Sequence, residues 1–464
     1  MTEQEERIWA QIQLEKRKST REKAFRVLAD CLLLFTVGSF LFSPCFQLIL
    51  RVISRRDAEW YNIQRTISIY QDMVQKVNIL ALFTAVLCYG YYAVQLFRKR
   101  KMFLNSLKSN FRRLVPLFLL WLLALIVPLV TIIRGPNEYD LSGHPYMFES
   151  IFSYMLYPTC YFFCGAMLWK SGYKRGLLYL LLFSALPINV LALINEWGVS
   201  VPFFLGAGVS AVFHNSNHYG YYLAMTIIAS LALFVYEKRG AWKVVSAMSA
   251  EIGTLVLIMN NTLGAYLAVL LVMLAFAVYC FLCDKGHLGW SLGALGIFLL
   301  VTLCMSSSYN TILSSFITLF HDVGEIAEDP FEADSAGSSR WLLWKGTVSH
   351  LDESPLLGFG VEGLLNTHHI GTPHNELLQY AAFFGFPAAV SYLAAVVSVI
   401  IAVLRDSKKL GKMTLVCFCV AVGYFTSSMF GVAVYYTTPF FYIFLGLAYS
   451  EILNGKNTEK TEEE

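Results

Sequence analysis

The chain has 464 residues, of which 56% are hydrophobic and only 14% charged. That is too apolar for a soluble globular domain and far from the composition of a disordered chain. The net charge of +3 gives no support to nucleic-acid binding. Long apolar runs alternate with short charged loops, the pattern of a polytopic helical membrane protein.

The opening stretch, "MTEQEERIWAQIQLEKRKSTREKAFR", is charged and helix-forming, unlike a cleavable signal peptide. Apolar spans are predicted at 27–48, 77–97, 114–133, 150–169, 177–196, 217–236, 244–260, 262–282, 289–306, 387–404, 413–430 and 434–452. The expected fold is therefore all-α, a single membrane domain over 1–464 with about twelve transmembrane helices. The loops "RKRKMFLNSLKSNFRR", "KSGYKRG", "EKRGAWK" and "RDSKKLGK" are basic and fall on one side. The positive-inside rule puts them in the cytoplasm, with the N-terminal segment 1–26 and the polar tail 453–464. One loop, 51–76, carries Arg51, Arg55, Arg56, Arg65 and Lys76 on the opposite side, outvoted by the others.

Most of the ten cysteines lie inside predicted spans, where Cys acts as a small apolar residue. Cys280 and Cys283 with His287 resemble half a metal site without its second half, so an apolar helix end is the expectation.

This topology makes 307–386 a large extracytoplasmic loop with interfacial helices, between spans nine and ten. Its first half, "DVGEIAEDPFEAD", reads as an exposed acidic surface. Eight of nine histidines fall at or beside the outer face: His144, His214, His218, His321, His350, His368, His369 and His374. Asn215, Asn217, Asn260, Asn261 and Asn375 share that level.

Several motifs in this outer layer carry chemistry. "FHNSNHYGYYLAM" opens a span with Asn215 and Asn217, residues that can cap the helix or bind sugar hydroxyls. Glu251 lies mid-span, where an ionisable group is a functional candidate; a carboxyl protonated and bonded to a neighbouring helix is the favoured alternative. "MNNTLGAYLAV" joins two spans by a tight outer turn. In the loop, Arg340 and Lys345 are flanked by Trp341 and Trp344, as in a helix at a membrane surface. A guanidinium suits two-point capture of phosphate, though Arg340 can equally neutralise its acidic loop. "GFG" at 358–360 reads as a bend. In "GTPHNELLQYAAFFG", Thr372 is the expected N-cap and Pro373 the first helical residue. His374 and Asn375 would then sit in the first turn, where the helix dipole favours a neutral imidazole able to accept a proton. The helix is expected to end near Gly385, with Pro387 opening the next span.

Taken in order, these stretches resemble the O-antigen ligase and polymerase family of bacterial membrane glycosyltransferases. The resemblance rests on F-x-N-x-N opening a mid-chain span, a tight outer turn, Arg340-Trp341, Pro-x-x-Gly-x-Gly from Pro355 to Gly360, and His374-Asn375 before an apolar helix. It implies transfer of a glycan from an undecaprenyl-diphosphate donor to an acceptor hydroxyl, inverting, without metal or other cofactor, at the outer face of the cytoplasmic membrane. The acceptor would be another glycan or a surface molecule. It further implies that Arg340 holds the diphosphate, His374 deprotonates or orients the acceptor, and Asn375 fixes the turn around His374. The family's turn usually reads Ser-Arg-Gly; here it is Thr262-Leu263-Gly264. With that second Arg absent, diphosphate charge would fall to Arg340, Lys345 and backbone N–H groups, while Asn215, Asn217 and Trp341 are candidates for substrate contact.

Two other readings compete. Glu251 and twelve spans would suit a lipid-linked glycan or ion-coupled transporter, but the polar residues gather in one outer loop and no repeat is evident. A metal site built on His368, His369 and His374 lacks a helical zinc spacing.

Overall fold

The computed structural model describes residues 3–53, 76, 79–91, 93–94, 100–143, 149–198, 209–213, 215–306 and 311–455. The expectations for His144, His214, most of the 51–76 loop and the tail beyond 455 lie outside them. Among the described residues the chain is helical, without strands.

The elements are α1 (Glu3–Leu41), α2 (Ser43–Ile53), α3 (Ile79–Tyr91), α4 (Arg100–Arg134), α5 (Glu138–Ser142) and α6 (Ile151–Leu156), then α7 (Phe162–Met167) and α8 (Ser171–Glu196). There follow α9 (Ser216–Tyr236), α10 (Gly240–Asn260), α11 (Leu263–Cys283), α12 (Leu288–Ser306) and α13 (Thr311–Glu328). The last five are α14 (Arg340–His350), α15 (Gly363–His368), α16 (Glu376–Asp406), α17 (Lys412–Ser428) and α18 (Thr438–Asn454). Among the described residues eight helices are long and apolar enough to cross a membrane, and the chain is a multi-pass membrane protein. The four other predicted spans coincide with shorter or broken helices. These are α3, the pair α6 and α7 joined by a π turn at Tyr157–Tyr161, α17 and α18.

Burial explains the arrangement. α9 is apolar around its whole circumference and nearly every residue of it is buried, as expected for a central helix. It packs on α10, α11 and α17. α18 packs on α7 and α17, and α16 on α4. The approach of α7 to α18 depends on two small residues. A Cβ on Gly165 would lie 2.3 Å from the Ile443 carbonyl oxygen, and one on Gly446 would lie 2.2 Å from that of Phe162. Small residues of this kind let helix backbones approach within a bilayer.

At the basic-loop end, Lys174 meets Glu451 at 2.6 Å with both side chains buried. The same carboxylate accepts from Thr414 and from the Gly411 N–H at 2.9 Å. A charge in the "KSGYKRG" loop is thus spent inside the protein, joining the starts of α8 and α17 to the end of α18. Glu251, by contrast, is exposed on α10. None of the described hydrogen bonds or ion pairs involves it, so the expected bond to a neighbouring helix is not made.

The long loop is more helical than its acidic stretch suggests. α13 occupies 311–328, and Glu328, Asp329, Glu332 and Asp334 are exposed, as expected for an acidic surface. The start of α16 also differs from expectation. Its N-cap is Asn375, whose Oδ1 accepts from the Leu378 N–H at 3.0 Å. Thr372 instead donates to Glu362 at 2.9 Å. His374 has φ 48°, a left-handed conformation outside any right-handed helix.

The break at Gly385 is where the sequence suggests, with φ 80°. Pro387 lacks an N–H and its ring would clash with the carbonyl four residues back. That carbonyl, Phe383, is met by the Gly360 N–H at 2.9 Å and Arg134 Nη1 at 3.2 Å. The Ala382 carbonyl accepts from the Phe359 N–H at 2.7 Å, and the Phe386 N–H donates to the Pro355 carbonyl at 2.8 Å. The bend at 355–361 is therefore docked on the backbone groups that the kink releases.

Candidate active site

A cavity of about 600 Å³ opens between the start of α11, α13 and α14. Its wall includes Asn217, Asn261, Thr262, Leu263, Asp322, Arg340, Trp341 and Phe430. The turn between α10 and α11 is locked by polar side chains. Asn260 Nδ2 donates to the carbonyls of Val209 at 2.6 Å and Ser216 at 2.9 Å. Thr262 donates to Asn260 Oδ1 at 2.6 Å, and Asn261 takes a left-handed φ of 56° to end α10. Leu263, in the position where the resembling family usually carries Arg, faces this cavity.

Arg340 is the one basic side chain among the described residues lining it. Its Nε donates to the Phe430 carbonyl at 3.2 Å and its Nη1 to the Gly337 carbonyl at 3.1 Å. Among the described residues no carboxylate forms an ion pair with it, while Asp322 lines the same cavity. Two backbone acceptors thus fix the guanidinium while its charge stays available, an arrangement suited to an anionic group.

His374 is half-buried beside the N-cap of α16. Burial, with a smaller contribution from the Arg340 charge, holds its pKa below the ordinary value of 6.5. Its imidazole is therefore neutral at pH 7 and can accept a proton. Asn375 donates from Nδ2 to the Met429 carbonyl at 3.1 Å while capping α16. Arg340 and Asn375 thus anchor on adjacent carbonyls, Phe430 and Met429, of the turn between α17 and α18. This joins two parts of the long loop that the sequence separates. His374 and Asn375 do not line the cavity itself.

The remaining candidates divide. Trp341 lines the cavity, with its indole N–H given to the Pro330 carbonyl at 2.8 Å. Asn217 also lines it, whereas Asn215 is exposed and caps α9 by accepting from the Asn217 N–H at 2.7 Å. Lys345 does not reach the cavity. It pairs with Asp334 at 2.6 Å and donates to the Phe331 carbonyl at 2.7 Å.

The histidines also separate. His218 is buried against Tyr436, and His321 is exposed near Glu325. His350 and His368 share Glu353, and His369 is exposed. His287, near the Cys280–Cys283 pair, bonds Asp284 at 2.9 Å.

Several supporting groups have little signal in the sequence. The Met429 and Phe430 acceptors are backbone atoms. Arg134 pairs with buried Asp140 at 2.5 Å, and Asp140 accepts from the Val361 N–H at 3.0 Å. Glu376 is fully buried facing Ser428 and Tyr424, with no hydrogen bond of normal geometry to its carboxyl. Its position right after His374-Asn375 was the available signal.

Fold and site together define a multi-pass helical membrane protein with a guanidinium, fixed by backbone carbonyls and without an ion pair among the described residues, in a cavity beside its long loop. Residues 248–393, about a third of the chain, match the family described as O-antigen ligase. The segment contains the Thr262-Leu263-Gly264 turn, Arg340 and His374. No curated protein matches the chain.

Proposed function

We propose that the protein transfers a glycan from an undecaprenyl-diphosphate donor to an acceptor hydroxyl at the outer face of the bacterial cytoplasmic membrane, as a surface-polysaccharide polymerase or ligase. The observation that carries this reading is Arg340, fixed in the cavity wall by two backbone carbonyls and in no ion pair with any described carboxylate. Arg340 holds the diphosphate and stabilises the charge that grows on it as the glycosidic bond breaks. His374, neutral at pH 7, orients the acceptor hydroxyl and takes its proton as the oxygen attacks the anomeric carbon. Attack opposite the leaving diphosphate inverts that carbon. Asn375 positions His374 through the α16 cap and the Met429 carbonyl.

With Leu263 in the cavity wall, the donor is held by one guanidinium, backbone N–H groups and polar side chains such as Asn217. The chemistry needs no metal, because Arg340 supplies the positive charge. In this reading both termini are cytoplasmic and 307–386 is the extracytoplasmic loop of a twelve-span chain, with the donor entering from the bilayer.

Deletion of the gene, complemented by wild type, Arg340→Ala or His374→Ala at matched expression, tests the assignment. Both variants are expected to fail to restore the mature surface glycan. Full complementation by both would place the reaction elsewhere, and loss of function in Glu251→Gln alone would favour transport.

A further inference from the structure

Away from the cavity, three potential metal ligands converge at the far end of α14. His350 Nδ1 lies 2.6 Å from Glu353 Oε1, and His368 Nε2 lies 3.1 Å from Glu353 Oε2. All three donor atoms fall within 4.8 Å of one another. The two imidazoles stack with centroids 3.9 Å apart, and Phe359 stands edge-on to His368 at 5.6 Å. The ligands are reachable, with His350 30%, Glu353 47% and His368 23% exposed.

We propose that His350, Glu353 and His368 form a site for a divalent transition metal of the zinc class, fastening the end of α14 to the end of α15. Two imidazoles and one carboxylate are a donor set that zinc favours, with water completing the tetrahedron. Zinc bonds to these donors are about 2.0–2.2 Å long, so neighbouring ligand atoms sit roughly 3.4 Å apart. The two histidine–glutamate separations need to open by less than about an ångström to meet that geometry.

The site is separate from the proposed chemistry. Arg340 and His350 are the two ends of α14, about 15 Å apart at the helical rise of 1.5 Å per residue. A bound metal would tie together the helix that carries Arg340 and the short helix that leads, six residues on, to His374. It would close the 351–367 segment, which includes the bend docked on the α16 kink. Its role is to hold the loop, and the proposal does not rest on the glycan-transfer reading.

The second acidic and histidine group, His321, Asp322 and Glu325, differs. Asp322 already accepts from the Gly337 N–H at 2.8 Å, and its group spans one turn of one helix, so a metal there would join nothing.

The test is calorimetric titration of ZnCl2 into the full-length protein, purified in detergent without a polyhistidine tag and stripped with a chelator. Thermal unfolding with and without the metal accompanies it. Wild type is expected to bind one equivalent and to unfold at a higher temperature when loaded. His350→Ala and His368→Ala should each weaken binding by at least the roughly 10–100-fold seen when even groups behind metal ligands are removed. His369→Ala, at the exposed neighbour, should bind as wild type does. Absence of saturable one-to-one binding by wild type overturns the proposal without any variant. So does undiminished binding by the His350→Ala/His368→Ala protein. Neither readout involves glycan transfer.

Discussion

His374 is held below its ordinary pKa by burial first and by the Arg340 charge second. A lowered pKa keeps the base form present further into acid. The sign follows directly: the acid limb of kcat/KM for transfer should have its midpoint below 6.5. A pH–rate profile with its acid limb above 6.5 would contradict a His374 base in this environment. Asn375 divides into two functions at one side chain, capping through Oδ1 and anchoring through Nδ2. Asn375→Ser keeps a good cap and loses the anchor. It should fold with close to wild-type thermal stability while kcat drops. Asn375→Ala loses both, with about 1 kcal/mol of destabilisation from the cap alone. Equal kcat in Asn375→Ser and wild type would show that the Met429 bond does not position His374.

At the level of elements, the α16 kink and the 355–361 bend form one unit. Gly385 has φ 80°, and a Cβ there would lie 2.5 Å from the Leu356 carbonyl. Gly385→Ala should cost about 1–3 kcal/mol from backbone strain alone, more with the clash, read as a fall in unfolding temperature. Asp140→Ala leaves the Arg134 guanidinium and the Val361 N–H without their carboxylate. Breaking such a buried pair from one side costs about 3–5 kcal/mol, and the bend should become protease-sensitive. The break itself was legible, because Gly and Pro two residues apart announce it. The cap was misplaced by three residues, since Thr372-Pro373 satisfies the local rules for a helix start. A contact ten residues upstream, Glu362, takes the Thr372 hydroxyl, and the left-handed His374 delays the helix. The Arg134–Asp140 pair and its bonds to 357–361 and 383 connect segments more than 200 residues apart, which periodicity cannot reveal.

For the whole molecule, hydropathy placed the helices well because bilayer burial acts on every residue of a span. It did not foresee which polar groups close the bundle. Lys174, counted in sequence as one more basic loop residue, is buried with Glu451. Glu451→Ala should destabilise the bundle by about 3–5 kcal/mol, whereas replacing both partners by Met should cost much less. Equal losses would mean that packing, not the unpaired charge, sets the stability of that end. Within the site, Arg340, Trp341 and Asn217 were legible and meet at one cavity. Lys345 was expected to support Arg340 in meeting the diphosphate charge, yet the nearby Asp334 takes its charge. This difference gives the most direct measurement of the central claim: transfer from an undecaprenyl-diphosphate glycan by purified protein, comparing Arg340→Ala with Lys345→Ala. Arg340→Ala should lose transfer by at least the roughly 10²–10³-fold typical of removing one charge-stabilising donor, while Lys345→Ala keeps it within a few-fold. Comparable activity in the two variants would contradict the assignment of Arg340 to the diphosphate.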